Sequence, residues 1–165
     1  MVEKKSDELP PLEETLMEPK LENNGLPTLE LDELWSFVFR KTSQAWVWIA
    51  LCRETRQVVG FIMGDRTENT CRKLWEAIPQ LYQQGQSYSD FWEAYTNVIP
   101  QEQHKAVGKD SGETSHVERW NNTLRQRLAR FVRKTLSFSK SWFMHELSLR
   151  LFIHRYNCEL IIPSG

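Results

Sequence analysis

Three acidic residues stand in stretches that are otherwise mostly apolar, aromatic or basic. Asp32 lies within LELDELWSFVF, Asp90 within YSDFW and Glu118 within HVERWNN. A carboxylate buried without a partner is costly, so such an acid needs a cation, a proton or a metal ion. Carboxylates that converge to about 4 Å repel by roughly 4 kcal/mol per pair at an effective dielectric constant of about 20. A divalent cation reverses that repulsion, and oxygen ligands alone favour Mg²⁺ or Mn²⁺ over zinc.

Each acid also has an ordinary structural explanation, and the residues alone leave these alternatives open. Asp32 could pair with an arginine at a strand edge, as structural ion pairs often do. Asp90 could close an Asx turn or cap a helix, and Glu118 could favour a helix start through the macrodipole. Glu33, next to Asp32, is a second candidate for the first acid of the group.

Arg125 follows Glu118 by seven residues in a segment with helical periodicity. At about 100° per residue, seven steps fall roughly 20° short of two full turns, so both side chains share a face about 10 Å apart along the axis. An acid that holds a metal ion, with a cation two turns along to hold a phosphate, suits chemistry on DNA. The alternative is that Arg125 is merely exposed to solvent.

The formal net charge of −1 hides a strong asymmetry. Residues 1–30 carry eight acids against three lysines, whereas residues 119–155 carry nine bases against one acid. A local basic stripe is typical of nucleic-acid binding, although a charge run often marks only a solvated helix face. The candidate phosphate contacts are Arg119, Arg125, Arg127, Arg130, Arg133 and Lys134.

The elements that must position these residues follow from hydropathy patterns. Residues 29–39, 45–52 and 58–63 predict three strands in an antiparallel meander, because the connections between them are short. Thr67 is a predicted cap of a helix that reaches Leu81, with a kink at Pro79. Short strands are predicted within 86–90 and 102–107.

Two further helices are predicted towards the end of the chain. One begins at Thr114 or Ser115, with an apolar stripe that extends to Phe131 and Val132. The last begins near Ser139 or Ser141 and reaches about residue 156. This order predicts a mixed α/β fold in which a central sheet is covered by helices.

Several classes of protein are disfavoured by the sequence. It contains no apolar run of about 18 residues that could span a membrane and no apolar core of a secretory signal. Its three cysteines lack zinc-binding spacing, and neither a glycine-rich phosphate loop nor a Gly-x-Ser-x-Gly motif occurs. We expect an acidic, disordered tail over residues 1–27, one domain over 28–157 and a short tail over 158–165.

Residues 29–35, 89–95 and 116–133, followed by 134–141, resemble the catalytic part of insertion-sequence-1 family transposases. The resemblance implies a ribonuclease H-like fold with three antiparallel strands, short parallel strands and flanking helices. It implies an Asp-Asp-Glu triad of Asp32, Asp90 and Glu118 that binds two Mg²⁺ (or Mn²⁺) ions. Arg125 matches a basic residue of the family's late helix, and Asn122 matches an asparagine there, which we group with the DNA contacts.

The function implied by this resemblance is cleavage of DNA at the ends of an insertion sequence, followed by transfer of the 3′-OH strand into target DNA. The expected partners are DNA and further copies of the chain, in a bacterial cytoplasm at the nucleoid. An upstream zinc-binding and helix-turn-helix region, supplied as a frameshift fusion, is also expected. The alternatives are an inactive DNA-binding remnant or regulator and a ribonuclease H-like nuclease.

Overall fold

The computed structural model describes residues 9–21 and 25–162 and contains a five-stranded mixed sheet in the order β3-β2-β1-β4-β5. The strands are β1 (Leu29–Val38), β2 (Arg40–Cys52), β3 (Val58–Gly64), β4 (Ser87–Ser89) and β5 (His104–Ala106). The first three pair antiparallel, while β4 pairs parallel with β1 and with β5. The predicted mixed sheet of three antiparallel strands and short parallel strands is therefore confirmed.

Within the described residues, five α-helices flank this sheet. They are α1 (Glu68–Ala77), α2 (Gln80–Gln83), α3 (Glu93–Val98), α4 (Ser115–Arg127) and α5 (Trp142–Ile161). The Thr67 cap is confirmed, since its side chain accepts a hydrogen bond from the Thr70 amide. A continuous helix to Leu81 is wrong: α1 ends at Ala77, and Pro79, which favours a new helix start, precedes the separate helix α2.

The later helices also differ from their predicted bounds. Helix α4 ends at Arg127, so Phe131 lies in a separate 3₁₀ turn, Ala129–Phe131, and Val132 is exposed beyond it. Helix α5 is capped by Ser141, as predicted, but continues to Ile161 through part of the predicted C-terminal tail. The spacing of apolar residues predicted one continuous helix through this region because buried Phe131 lies at a helical spacing from the apolar residues of α4. The helix nevertheless ends at Arg127.

Strand β1 is central and is buried on both faces. Leu29 and Leu31 face a core shared with Trp48, α1 and α3, whereas Leu34 faces a second core shared with Val47, α4 and α5. Helices therefore cover both sides of the sheet, and an acid within β1 lies in the middle layer of the molecule.

Part of the predicted disordered tail is folded against α5. Leu12–Thr15 forms a 3₁₀ turn, and the Thr15 hydroxyl accepts a hydrogen bond from Asn157 Nδ2 at 3.0 Å. Gln57 Nε2 donates to the Thr15 carbonyl oxygen at 2.8 Å, and both glutamine and asparagine are buried. These partners come from distant parts of the chain, so the local composition does not reveal them.

Residues 1–8, 22–24 and 163–165 of the predicted tails lie outside the described residues, and the domain boundaries stay a prediction. Among the helices that the structure does describe, none combines the length and the apolar character needed to cross a bilayer.

Candidate active site

The strand register brings the first two acids to one place. Leu29 pairs with Ser87 and Glu30 with Tyr88, so position 32 of β1 is level with position 90. Strand β4 ends at Ser89, and Asp90 follows it directly. Ligands of parallel sheets commonly bind beyond the carboxyl ends of the strands, and both acids lie where β4 ends beside β1.

Glu30 holds the third element against β1. Its buried carboxylate accepts hydrogen bonds from the amides of His116 at 2.8 Å and Val117 at 3.2 Å, and it contacts His116 Nδ1 at 2.7 Å. The Arg53 guanidinium donates to the same carboxylate at 3.0 Å. A carboxylate at a helix N-terminus accepts hydrogen bonds from the free amides of the first turn and interacts favourably with the helix dipole. The first turn of α4, which carries Glu118, is thereby fixed beside the strand that carries Asp32.

Sequence reasoning did not identify Glu30 as important. Its only signal is an acid near the start of a mostly apolar strand, and Asp32 gives a similar signal two residues later.

Asp32, Asp90 and Glu118 line one polar cleft of about 300 Å³. The structure therefore brings together all three predicted acids, from β1, from the end of β4 and from α4. Basic and polar side chains complete the walls, including those of Lys109, Thr114, Asn121, Arg125 and Arg133.

The environment of Asp32 disfavours its charged form. Burial and the nearby charges of Glu33, Asp90 and Glu118 raise the pKa of Asp32 from 3.8 to about 7. Asn121 Nδ2 donates to Asp32 Oδ2 at 2.8 Å, and the Glu33 amide donates to Oδ1 at 3.0 Å. Asp32 is therefore held in position by neutral donors.

The arginine partner considered for Asp32 belongs instead to Glu33. Glu33 Oε1 accepts from Arg66 Nη2 at 3.0 Å, and Oε2 accepts from the Tyr95 hydroxyl at 2.5 Å. Arg66 is itself held between the rings of Trp46 and Trp92, at 4.8 and 4.2 Å from their centroids. Burial raises the pKa of Glu33, and the bonds from Tyr95 and Arg66 oppose that rise. Both Glu33 oxygens are thus engaged by protein groups.

Asp90 and Glu118 combine local hydrogen bonds with their place in the cleft. The Trp92 amide donates to Asp90 Oδ1 at 2.9 Å, so the Asx-turn alternative describes a real contact. The Thr114 hydroxyl donates to Glu118 Oε1 at 3.2 Å. These bonds restrain the two side chains but do not take them out of the cleft.

The predicted phosphate contacts divide between surfaces. Arg125 and Arg133 line the cleft, whereas Arg119 and Arg127 line two other surface depressions. Arg127 also pairs with Glu159 at 3.5 Å, and Arg130 donates to the Ser139 hydroxyl at 3.3 Å. Lys134 is exposed. The basic stripe in the sequence is therefore not one continuous face of α4.

Asn121, to which the sequence analysis gave no role, lies in the cleft, whereas the DNA contact predicted for Asn122 stays a prediction. Asn122 is exposed, while buried Asn121 bonds to Asp32 within the cleft. Successive helix positions differ by about 100°, so packing decides which asparagine faces inwards. Buried Val117, Trp120 and Leu124 set that rotation.

The chemistry of the cleft fits a hard divalent cation. Its candidate ligands are carboxylate oxygens, and burial together with the repulsion among these acids raises the pKa of Asp32. Asn121 Oδ1 is buried and finds no hydrogen-bond partner among the described residues. Within residues 9–21 and 25–162, however, no three His, Cys, Asp or Glu side chains are gathered closely enough for a complete metal-ligand group. The carboxylates would therefore have to approach one another around an ion.

A mixed sheet with flanking helices and acids at the end of β4 and on β1 is consistent with the predicted ribonuclease H-like fold. The sequence model of the IS1 transposase family matches residues 26–158. The chain belongs to the IS1 transposase family, as its resemblance predicted.

Individual relatives agree with this assignment. The chain is 40% identical over 127 residues to the insertion element iso-IS1n protein InsB of Shigella dysenteriae, covering 77% of this chain and 94% of that protein. It is 36% identical over 117 residues to the insertion element IS1 protein InsB of Shigella flexneri, covering 71% and 86%. It is 35% identical to the insertion element IS1 4 protein InsB of Escherichia coli K12, covering 71% and 68%.

Proposed function

We propose that this transposase is a metal-dependent DNA strand transferase that cuts at the ends of an insertion sequence and joins the freed 3′-OH to target DNA. One observation carries the proposal: acids from β1, β4 and α4 line a single cleft that arginines also line. DNA is the partner implied by the family. The homo-oligomer and the upstream zinc-binding region stay predictions.

Asp32, Asp90 and Glu118 would hold two Mg²⁺ or Mn²⁺ ions, which when bound assist the attacking and leaving oxygens of an in-line displacement. Asn121 orients the Asp32 carboxylate, and Thr114 orients that of Glu118. Arg125 lies two turns from Glu118 and binds a phosphate beside the reacting one. Its Nε is buried without a hydrogen-bond partner among the described residues, so it has a donor to offer.

The chemistry consists of two displacements at phosphorus. In cleavage, a water oxygen bonds to the phosphorus at the element end, and the bond to the 3′ oxygen breaks. The attacking water loses one proton, and the leaving 3′ oxygen takes up one proton and becomes the free 3′-OH. In strand transfer, the 3′-OH loses its proton as its oxygen bonds to a target phosphorus, and the target's 3′ oxygen leaves and is protonated. Each step forms one phosphorus–oxygen bond and breaks one, without a covalent protein–DNA link.

A joining assay tests this proposal with labelled DNA that carries the element's own ends, either intact or with a pre-formed 3′-OH. Wild-type protein with Mg²⁺ should give joined product. Asp32→Asn should abolish both steps while DNA affinity stays within about threefold, because the cleft arginines remain. Asp110→Asn, an exposed aspartate outside the cleft, is the matched control.

The other outcomes separate the rival functions. Cleavage without joining would identify a nuclease, and salt-sensitive binding without either step would identify an inactive remnant. Full activity of Asp32→Asn would remove Asp32 from the catalytic site.

A further inference from the structure

A row of aromatic rings leads from the cleft along the outer end of β1. Trp35 lines the cleft, and its ring centroid lies 5.6 Å from that of Phe37. Phe37 lies 6.1 Å from Phe138, which lies 6.3 Å from Phe39. Phe37 is the buried member of the row, while Trp35 and Phe138 are half-buried and Phe39 is 62% exposed. The row thus offers aromatic surface to solvent from the cleft, at Trp35, outwards to Phe39.

Phe39 occupies an unusual position for a large apolar side chain. Its backbone has φ of 65°, in the left-handed region that residues with a side chain rarely adopt. Its amide donates to the Ser139 carbonyl at 2.6 Å, and Val38 forms a bridge with Ser139, so the strained backbone is held in place. Burial of the ring does not compensate for this strain. Strain held at an exposed site indicates a surface with a use beyond folding.

The charge around the row identifies the chemistry of its partner. Residues 39–45 and 128–145 contain no aspartate or glutamate. The same segments contain six Arg and Lys residues: Arg40, Lys41, Arg130, Arg133, Lys134 and Lys140. Leu136, between Lys134 and Lys140, is 96% exposed. A partner of this surface should carry negative charges for the cations and flat apolar faces for the exposed rings. Unpaired nucleotides have both, in their phosphates and their bases.

We propose that the accessible rings of the row, those of Trp35, Phe138 and Phe39, stack unpaired bases of the DNA strand that enters the cleft, while buried Phe37 supports them and the surrounding cations hold its phosphates. The inference rests on the proposed function in one respect: DNA must occupy the cleft. It adds that the DNA next to the reacting phosphate is opened, with Phe39 as the outermost stacking platform.

Binding of fluorescent DNA in the presence of chelator tests this inference without any chemical step. Phe39→Gly is the main variant, because glycine adopts a positive φ readily and the fold should not suffer. Its affinity for a duplex with a three-nucleotide unpaired end should fall about tenfold, the loss expected for one stacked base. Its affinity for the fully paired duplex should stay within about twofold. Phe39→Trp should retain binding to both.

Phe143→Ala is the matched control, since Phe143 is also an exposed phenylalanine but lies in a separate depression on α5. A 2-aminopurine base in the unpaired end should be quenched by wild-type protein and by Phe143→Ala, and much less by Phe39→Gly. Equal losses on both DNAs, or no loss on either, would overturn the inference. So would a Phe39→Gly variant that changes only the oligomeric state in analytical ultracentrifugation, since the row would then bind a second copy of the chain.

These results are separable from those of the joining assay. Inactive Asp32→Asn protein should still show the Phe39-dependent preference, and failure of strand transfer would leave that binding result standing.

Discussion

Replacing Asp32 by asparagine should stabilise the metal-free protein at alkaline pH, although the same change should abolish activity. The pKa of Asp32 is raised from 3.8 to about 7 in the folded state. The folded state therefore binds the proton more tightly than the unfolded state, and stability falls as pH rises from about 4 to about 7. Above that range the ionised carboxylate destabilises the fold, and asparagine carries no charge.

The size of the effect follows from the structure. A rise in pKa from 3.8 to about 7 corresponds to roughly 4 kcal/mol. Asparagine weakens the bond from the Glu33 amide, at a cost of about 1 kcal/mol, and solvent in the cleft screens part of the repulsion. We therefore expect Asp32→Asn to be more stable than wild type by about 2 kcal/mol at pH 8.5.

Urea unfolding in chelator at pH 5 and pH 8.5 measures this difference. The advantage of Asp32→Asn should grow by roughly 2 kcal/mol between the two pH values, because most of the remaining ionisation of wild-type Asp32 occurs in that interval. Asp110→Asn should show no such growth. A variant less stable than wild type at pH 8.5, or a difference independent of pH, would refute the account of Asp32 as a carboxylate whose charge is disfavoured by burial and by the neighbouring acids.

Three further predictions concern stability. In urea unfolding at pH 8.5, Mg²⁺ at about 100 times its dissociation constant should stabilise wild type by about 2.7 kcal/mol and Asp32→Asn much less. Equal gains in the free energy of unfolding would contradict binding of Mg²⁺ at Asp32. Glu30→Gln should lower the free energy of unfolding by about 3 kcal/mol, because Glu30 is a buried carboxylate that pairs with Arg53 and with the first amides of α4. A loss below about 1 kcal/mol would show that Glu30 does not anchor α4. Phe39→Gly should raise the thermal midpoint through about 1 kcal/mol of relieved backbone strain, and a lowered midpoint would mean that the ring supports the fold.

The features of the site that could be predicted from the sequence are those that the hydropathy pattern indicates. Asp32 and Asp90 stand out because acids interrupt apolar or aromatic runs, and the antiparallel pairing of the first three strands follows from their short connections. The parallel register that makes positions 32 and 90 level involves only two residues of the three-residue strand β4 and is set by long-range pairing. Sequence patterns carry little information on a strand so short.

Other features depend on packing between distant segments. The choice between Asn121 and Asn122 depends on the rotation of α4 over the sheet, and two adjacent asparagines carry no sign of it. The sequence does not distinguish the role of Glu30 from that of Asp32. The difference arises from packing, because the start of α4 lies against Glu30. The folding of residues around Thr15 depends on Gln57 and Asn157, which are 42 and 142 positions away along the chain.

The pairing of β1 gives the three acids unequal freedom to move. Asp32 stands opposite Ile49 within a ladder that runs almost the whole length of β1, and a slip of one residue would turn its side chain to the other face. Asp90 follows a strand of only three residues, and Glu118 sits on a helix turn outside the sheet. Because Glu30 also fixes the first turn of α4, any contraction of the cleft around a ligand must come from the segment that follows β4 and from the Glu118 side chain, with Asp32 as the stationary reference.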